Sequence, residues 1–389
     1  MSILQSAGSD EGDSAAPAAL THTQDVEIHQ VSQSRLIWRR FRRHKLAMLG
    51  AIVTLGLYLV AAFAEFLAPF PTGAYSAEFT YAPPQPLRVL HESDEGMQFG
   101  LHVNGYTSEV DSETWERVYT VDDTIRHPVR FFARGYSYEV LGLFETDRHL
   151  FGPSDPEAPM YLFGADRQGR DVFSRLIYGT RISMTIGLIG VALSLIIGII
   201  LGGLSGYFGG RIDSFIQRII EVLVSLPSIP LWMALAAALP RTWSPIQVYF
   251  GITVILSVLG WTTLARVVRG RFISLREEDF VMAARLDRAS PMRIIMRHMV
   301  PSFASHIIAS TTLAIPGMII AETSLSFLGL GLQPPIVSWG VLLQEAQNIR
   351  SIATAPWLLI FPGGIVVIAV LCLNFVGDGL RDAADPYGG

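Results

Sequence analysis

Two apolar runs, each long enough to cross a bilayer, are joined by a connector too polar to lie in lipid. It runs from Arg266 to Pro301 and holds eight arginines: Arg266, Arg269, Arg271, Arg276, Arg285, Arg288, Arg293 and Arg297. Such a stretch has to lie outside the hydrocarbon, and an arginine excess beside apolar spans assigns it to the cytoplasmic side. Half of the residues are hydrophobic and only 16% are charged, which suits a membrane protein rather than a large soluble one.

The connector carries its own helix punctuation. Asp279 is placed to cap a short helix through Phe280, Val281, Ala283 and Ala284. Ser290 followed by Pro291 reads as an N-cap and first-turn pair, so a second helix starts there and Pro301 closes it. Two short helices with a turn near Arg288–Ser290 make a compact knob. Small Ala283 and Ala284 leave room for another surface to approach.

The order E-D-F-V-x-A-A-R, then A-S, then R-I-I-x-R-H-x-x-P, at 278–301, resembles the cytoplasmic coupling loop of ABC-importer permeases, most closely the dipeptide/oligopeptide branch. The resemblance implies that the knob is a coupling helix docking into a cleft on a separate ATPase subunit. Its matched positions are Glu278, Asp279, Phe280, Val281, Ala283, Ala284, Arg285, Ala289, Ser290 and Pro301, with Arg276 just ahead. Phe280, Val281, Ala284, Arg276, Glu278 and Arg285 are the expected contacts, and Ala284→Asp is expected to abolish transport while leaving the protein in the membrane. Met282 stands where the family has a glutamate and Arg288 where it has a turn glycine. A glycine relieves strain at positive φ, so Arg288 implies either an unstrained turn or a more distant relation. An ordinary basic loop flanking a membrane span is the plainer alternative.

Lys45 is the sole lysine and Leu46 follows it. A phosphate-cradling G-x-x-x-x-G-K-[ST] loop therefore cannot form here, and any ATP hydrolysis belongs to another polypeptide. Cys372 is the single cysteine, so no intrachain disulfide or cysteine metal cluster is possible. The nine histidines show no metal-ligand spacing, and His298 in the coupling motif reads as a packing or hydrogen-bonding residue.

In chain order, residues 1–34 read as a disordered cytoplasmic tail. Residues 35–70 hold an arginine cluster (Arg35, Arg39, Arg40, Arg42, Arg43, with Lys45) and the first apolar run, Leu46 to Ala64. That flank pins the N-terminus in the cytoplasm. A cleavable signal is the alternative, since Ala62-Phe63-Ala64 imitates a cleavage site, but the run is too long and continues through Ala68. Residues 71–162 differ, with fifteen acidic residues and six arginines. Short alternating stretches such as Arg117–Val121 and Arg130–Val140 predict a small β-rich extracytoplasmic insert between the first and second spans, against an extended loop.

Residues 163–389 form the rest of the permease core, with spans predicted at 182–204, 219–239, 246–265, 303–327 and 357–375 and the coupling loop at 266–301. The segment FGADRQGRDVFSRL, opening at Phe163, resembles the family's G-T-D-x-x-G-R-D-x-x-S-R motif at the outer mouth of the second span: Ala165 replaces the threonine, and Asp166, Gly169, Arg170, Asp171, Ser174 and Arg175 match. Alternating Asp and Arg can pair locally and cap the helix that starts there. A catalytic reading of Ser174 is weak, for no histidine lies in the motif to activate it. Gly187, Gly190, Gly198 and Gly202 suit close helix packing. After Asn374 the tail resembles the family signature N-x-x-G-D-x-L-R-D-x-x-D-P, ending on Asp385 and Pro386.

Glu221 and Glu322 are the ionisable groups nearest membrane depth, and an acid there often marks a solute or proton path. Each is also close enough to a helix end to reach the interface, and such solvation or a structural hydrogen bond is the plainer reading for both. Pro227 and Pro230 break the third span and free carbonyls, tolerable only against protein or a water-filled cavity, which makes that span a candidate pore wall.

The chain thus reads as an all-α polytopic membrane protein of six spans with the β-rich insert. The resemblance covers about 35–70 and 162–386, with the insert outside it. It implies a permease subunit of an ATP-driven importer for peptides or similarly sized solutes in the bacterial inner membrane, both termini cytoplasmic, and not an enzyme. Expected partners are a homologous second permease, two ABC ATPases carrying ATP and Mg, a soluble extracytoplasmic binding protein and the lipid bilayer, but no nucleic acid. This chain itself is expected to bind no cofactor. The alternative, a secondary transporter or channel, should show internal repeats and midplane charges.

Overall fold

The longest helix sets the frame of the molecule. In the computed structural model, α4 runs Val172–Phe208, about 55 Å at the usual rise. Residues 33–93, 96–110, 112, 117–140, 144–348 and 353–384 are described; the tail through residue 32, Arg350, Asp385 and Pro386 lie outside them.

Ahead of α4 come α1 (Gln33–Arg43), α2 (Lys45–Ala62) and the short α3 (Ala64–Leu67). Six strands follow: β1 (Arg88–Ser93), β2 (Gly96–Val110), β3 (Arg117–Phe131), β4 (Arg134–Val140), β5 (Phe144–Arg148) and β6 (Phe151–Pro153). They form an antiparallel sheet in the order β1-β2-β3-β6 and a separate β4-β5 ribbon. Val103, Val129 and Met160 fill one small core beneath the sheet, and Phe79, Tyr106, Tyr119 and Tyr161 stack in another. After α4 come α5 (Gly210–Ser225), α6 (Ser228–Ala237), α7 (Pro245–Leu275), α8 (Asp279–Leu286) and α9 (Pro291–Arg293). A π-helical stretch, Ile294–Met299, leads to α10 (Val300–Ser302), α11 (Ala304–Phe327), α12 (Trp339–Glu345) and finally α13 (Trp357–Ala384).

Among the described residues five helices, α2, α4, α7, α11 and α13, are long and apolar enough to cross a membrane. A sixth crossing exists only if α5 and α6 act together, and they meet at a 90° bend. The predicted single span 219–239 is therefore two helices, starting nine residues earlier and broken at Leu226–Pro227. The spans predicted at 182–204 and 246–265 are also too short. Capped by Asp171, α4 starts at Val172, ten residues ahead of the predicted start, and α7 continues ten residues into the arginine-rich connector. Polar residues there follow the helical ladder because Val268 and Phe272 still have a core to enter.

Glycine draws α4 close to α7. A Cβ on Gly202 would lie 2.4 Å from the Ala265 carbonyl oxygen, and one on Gly206 2.6 Å from the Phe272 Cβ. Small residues at four-residue spacing let helix backbones approach in this way. Gly187 and Gly190 face α11 instead, against Ile319 and Met318. Gly209 and Gly210, both at positive φ, then turn the chain into α5. That turn is tied to α7 by Asp213, which accepts two hydrogen bonds of 2.6 Å from the Arg269 guanidinium.

Candidate functional site

Three sites predicted from the residues fall in three places along this frame. The knob lies beside the C-terminal end of α4, and the Asp/Arg motif at its N-terminal end. A cavity opens between them.

The knob is built around its own apolar core. Val268 and Phe272 of α7, Val281 and Ala284 of α8, and Ile294, Ile295 and Met299 of the π-helical stretch are all buried together. Burial of this kind contributes about 25 cal/mol per Å², so the knob rides rigidly on α7. Glu278, not Asp279, occupies the N-cap of α8, and Asp279 is its first residue. An acid in the first turn still favours the helix start. Ser290 caps α9 as expected, accepting from the Arg293 amide at 3.4 Å. Pro301 does not close the second helix but sits inside α10; the chain breaks at Phe303, where φ is −128°.

Arg288 takes φ +55°. The turn is therefore left-handed, the conformation a glycine would favour, and the unstrained alternative is excluded. The expected contacts divide. Val281 and Ala284 point into the knob and cannot meet another subunit, which corrects their assignment and that of Ala284→Asp. Ala289 is half-buried against the same core. Asp279, Phe280, Ala283, Arg285 and Glu278 are exposed, and Arg276 is partly so. Arg285 lies 4.9 Å above the Tyr207 ring at the end of α4, a cation–π contact that steadies the knob. The sequence pattern missed Met282 and Leu286, exposed by 48% and 84%. Four residues apart, the two share the face of α8 turned away from that core, a small apolar crown that the knob's own fold leaves uncovered; Phe280 is exposed on the other flank.

At the other end of α4, the Asp/Arg motif makes more than local pairs. Arg175, 1% exposed, donates from Nη1 to Asp166 and Glu345 at 2.5 Å each, and from Nη2 to Glu345 at 2.9 Å. Arg170 bridges the same two carboxylates at 2.6 and 2.9 Å. Glu345 comes from α12, far along the chain, so nothing in the motif's spacing pointed to it. Burial alone would raise the Glu345 carboxyl, yet Arg175 and Arg170 hold it below the usual carboxylate range. Asp171 caps α4 through the amides of Phe173 and Ser174 at 3.3 and 2.7 Å. Burial pushes its carboxyl up to about 6. Gly169, at φ +71°, has no room for a Cβ, which would meet the Ser76 carbonyl oxygen at 1.8 Å. Ser174 is buried, and its hydroxyl accepts from the Phe70 amide at 3.1 Å. It fastens the chain entering the strands and offers no nucleophile.

The four path candidates separate as well. A cavity of about 610 Å³ lies between α4, α5, α6, α7 and α11, lined mainly by apolar groups with Ser194, Ser228, Thr262 and Thr263. Pro227 lines it; Pro230, Glu221 and Glu322 do not. Glu221 is exposed and pairs with Arg218 at 3.0 Å. Glu322 does not reach an interface: it is fully buried and accepts from Ser326 and Ser338 at 2.8 Å and Ser183 at 3.3 Å. Those serines tie α4, α11 and α12 together around it, so its place is structural.

Residues 194–387 match the family described as binding-protein-dependent transport system inner membrane component, and residues 32–84 match the N-terminal transmembrane domain of oligopeptide transport permease C. The oligopeptide transport system permease protein OppC of Bacillus subtilis is 36% identical over 66% of this chain and 78% of its own length. The OppC of Haemophilus influenzae is 38% identical over 62% and 75%. The dipeptide transport system permease protein DppC of B. subtilis is 30% identical over 99% of this chain and 92% of its own. That likeness runs through residues 71–162, so the insert is not outside the resemblance as expected. A chain of the MetNI methionine ABC transporter, in an inward-facing form, aligns with 54% of this chain and 97% of its own at 18% identity, with TM-score 0.41. With helices that can span a membrane and relatives matched along its length, the chain belongs to the binding-protein-dependent transport inner membrane component family, as a multi-pass permease subunit and not an enzyme.

Proposed function

We propose that this chain is one permease subunit of an ATP-driven, binding-protein-dependent importer for peptides or similarly sized solutes. The relatives named for oligopeptide and dipeptide transport support that solute class. The single observation that carries the mechanism is the apolar crown of Met282 and Leu286 on a knob whose own core is already complete. Exposed apolar groups on a rigid lever suit a subunit interface. Here that partner is an ABC ATPase, one of a pair that holds the ATP and Mg this chain has no P-loop to bind.

Six spans, counting α5 and α6 as one broken crossing, put the knob and both termini in the cytoplasm and residues 71–162 outside, as the arginine bias requires. The insert's place fits a role in meeting the soluble binding protein. A homologous second permease covers the exposed faces of α5 and α6, where Phe215, Val222 and Ile229 are open, and closes the cavity at Pro227. Closure of the ATPases then moves the knobs, and binding there must differ between two states for work to be transmitted. In a reconstituted transporter, Leu286→Asp should cut peptide-stimulated ATP hydrolysis and uptake together while the permease pair stays assembled. Normal uptake by that variant would refute the docking surface.

A further inference from the structure

We propose that α1 is a binding site for anionic phospholipid headgroups at the knob end of the bundle. Its eleven residues divide by face. At 100° per residue, Ile37 and Phe41 share a stripe, and that stripe packs against Val376, Leu380 and Ala383 of α13 and Ala47 of α2. Leu36 and Trp38 flank the stripe and are exposed by 42% and 56%. Arg35, Arg39, Arg42 and Arg43 occupy the remaining face, all exposed, and Lys45 follows at the start of α2. None of those four arginines has an ion pair among the described residues.

Like charges three and four residues apart repel along a helix. The face therefore needs anions, and α13 already holds the helix in place to receive them. Continuity with α2 identifies their source. One residue, His44, separates the helices, and its ring caps α2 by accepting from the Ala47 amide at 3.0 Å. Directly beyond it Leu46, Leu49, Ile52, Leu55 and Leu59 are exposed on α2, the face lipid tails must cover. A cationic helix joined to that face is held at headgroup depth. Trp38, stacked on Phe41 at 6.0 Å, is the amphipathic ring that suits the interface. Guanidiniums match phosphate oxygens two at a time, and such a helix binds anionic leaflets by charge and apolar burial together.

The test is amide hydrogen exchange at residues 33–43 of the assembled transporter in nanodiscs of phosphatidylcholine, with or without phosphatidylglycerol. Phosphatidylglycerol should slow exchange roughly tenfold or more. High salt should reverse the effect, and R35Q/R39Q/R42Q/R43Q should abolish it. Inorganic phosphate added to phosphatidylcholine discs should not reproduce it. Exchange indifferent to phosphatidylglycerol overturns the proposal, as does protection that survives high salt. Protection that appears only with the ATPases bound, whatever the lipid, assigns the face to a protein instead. The salt and lipid arms read the unaltered chain, so they stand even if the fourfold variant fails to fold.

Discussion

Arg175 is the residue on which the N-terminal end of α4 depends. Its guanidinium touches two carboxylates at once, and removing it leaves Arg170 alone to pair with both. Arg175→Ala should cost about 1.5–3 kcal/mol through its lost charge-assisted hydrogen bonds, read as a fall in unfolding temperature in detergent, and Arg175→Lys should recover only part, lacking the planar fork. Asp171 behaves in the opposite sense. Its folded value, about 6, lies above the 3.8 of an ordinary carboxyl. Its contribution is thus complete below pH 3.8 and lost as pH rises through about 6. Asn is an equally good cap without the charge, so Asp171→Asn should gain about 1–3 kcal/mol above that window and nothing below it. An equal loss at both pH values would contradict this. At the knob turn, a left-handed arginine costs roughly 1–2 kcal/mol. Arg288→Gly should raise stability by up to about 1 kcal/mol, because glycine gives part of that back in the unfolded chain.

Among the elements, α8 shows how far the pattern of residues reached. Asp279 to Ala284 announced a helix, and Ser290–Pro291 placed the next one, because caps and prolines act locally. Which face of α8 turns inward could not be read there. It depends on Phe272 and Ile295, which the fold alone brings beside Val281 and Ala284. The same limit hid Glu345 from the Asp/Arg motif and left open whether Glu322 is a path residue, solvated at a helix end or held by a structural hydrogen bond, with its three serines out of sight. Ala284→Asp should therefore lose the knob itself, as a drop in unfolding temperature corresponding to roughly 2–4 kcal/mol. Leu286→Asp should leave that temperature unchanged. Equal melting of the two would mean that α8 does not sit on the core described here.

For the whole molecule, α4 holds two ends with different tasks. One end is locked by ion pairs and by residues flanking the strands, where the amides of Phe70, Leu150 and Tyr81 donate to Ser174 Oγ, the Phe66 carbonyl and the Asp166 carbonyl. The other carries the knob, α1 and the end of α13. Spans were legible because lipid demands long apolar runs, while the bend at Leu226–Pro227 was legible only as a break of unknown angle. The central claim is that the crown works from the cytoplasm against an attached ATPase. With Cys372, buried and free, replaced by serine, a lone cysteine at Leu286 can be challenged with a membrane-impermeant maleimide. Labelling should occur only after the cytoplasmic side is opened, and should fall when the ATPases are bound. Labelling of intact cells from outside would invert the topology and contradict the account.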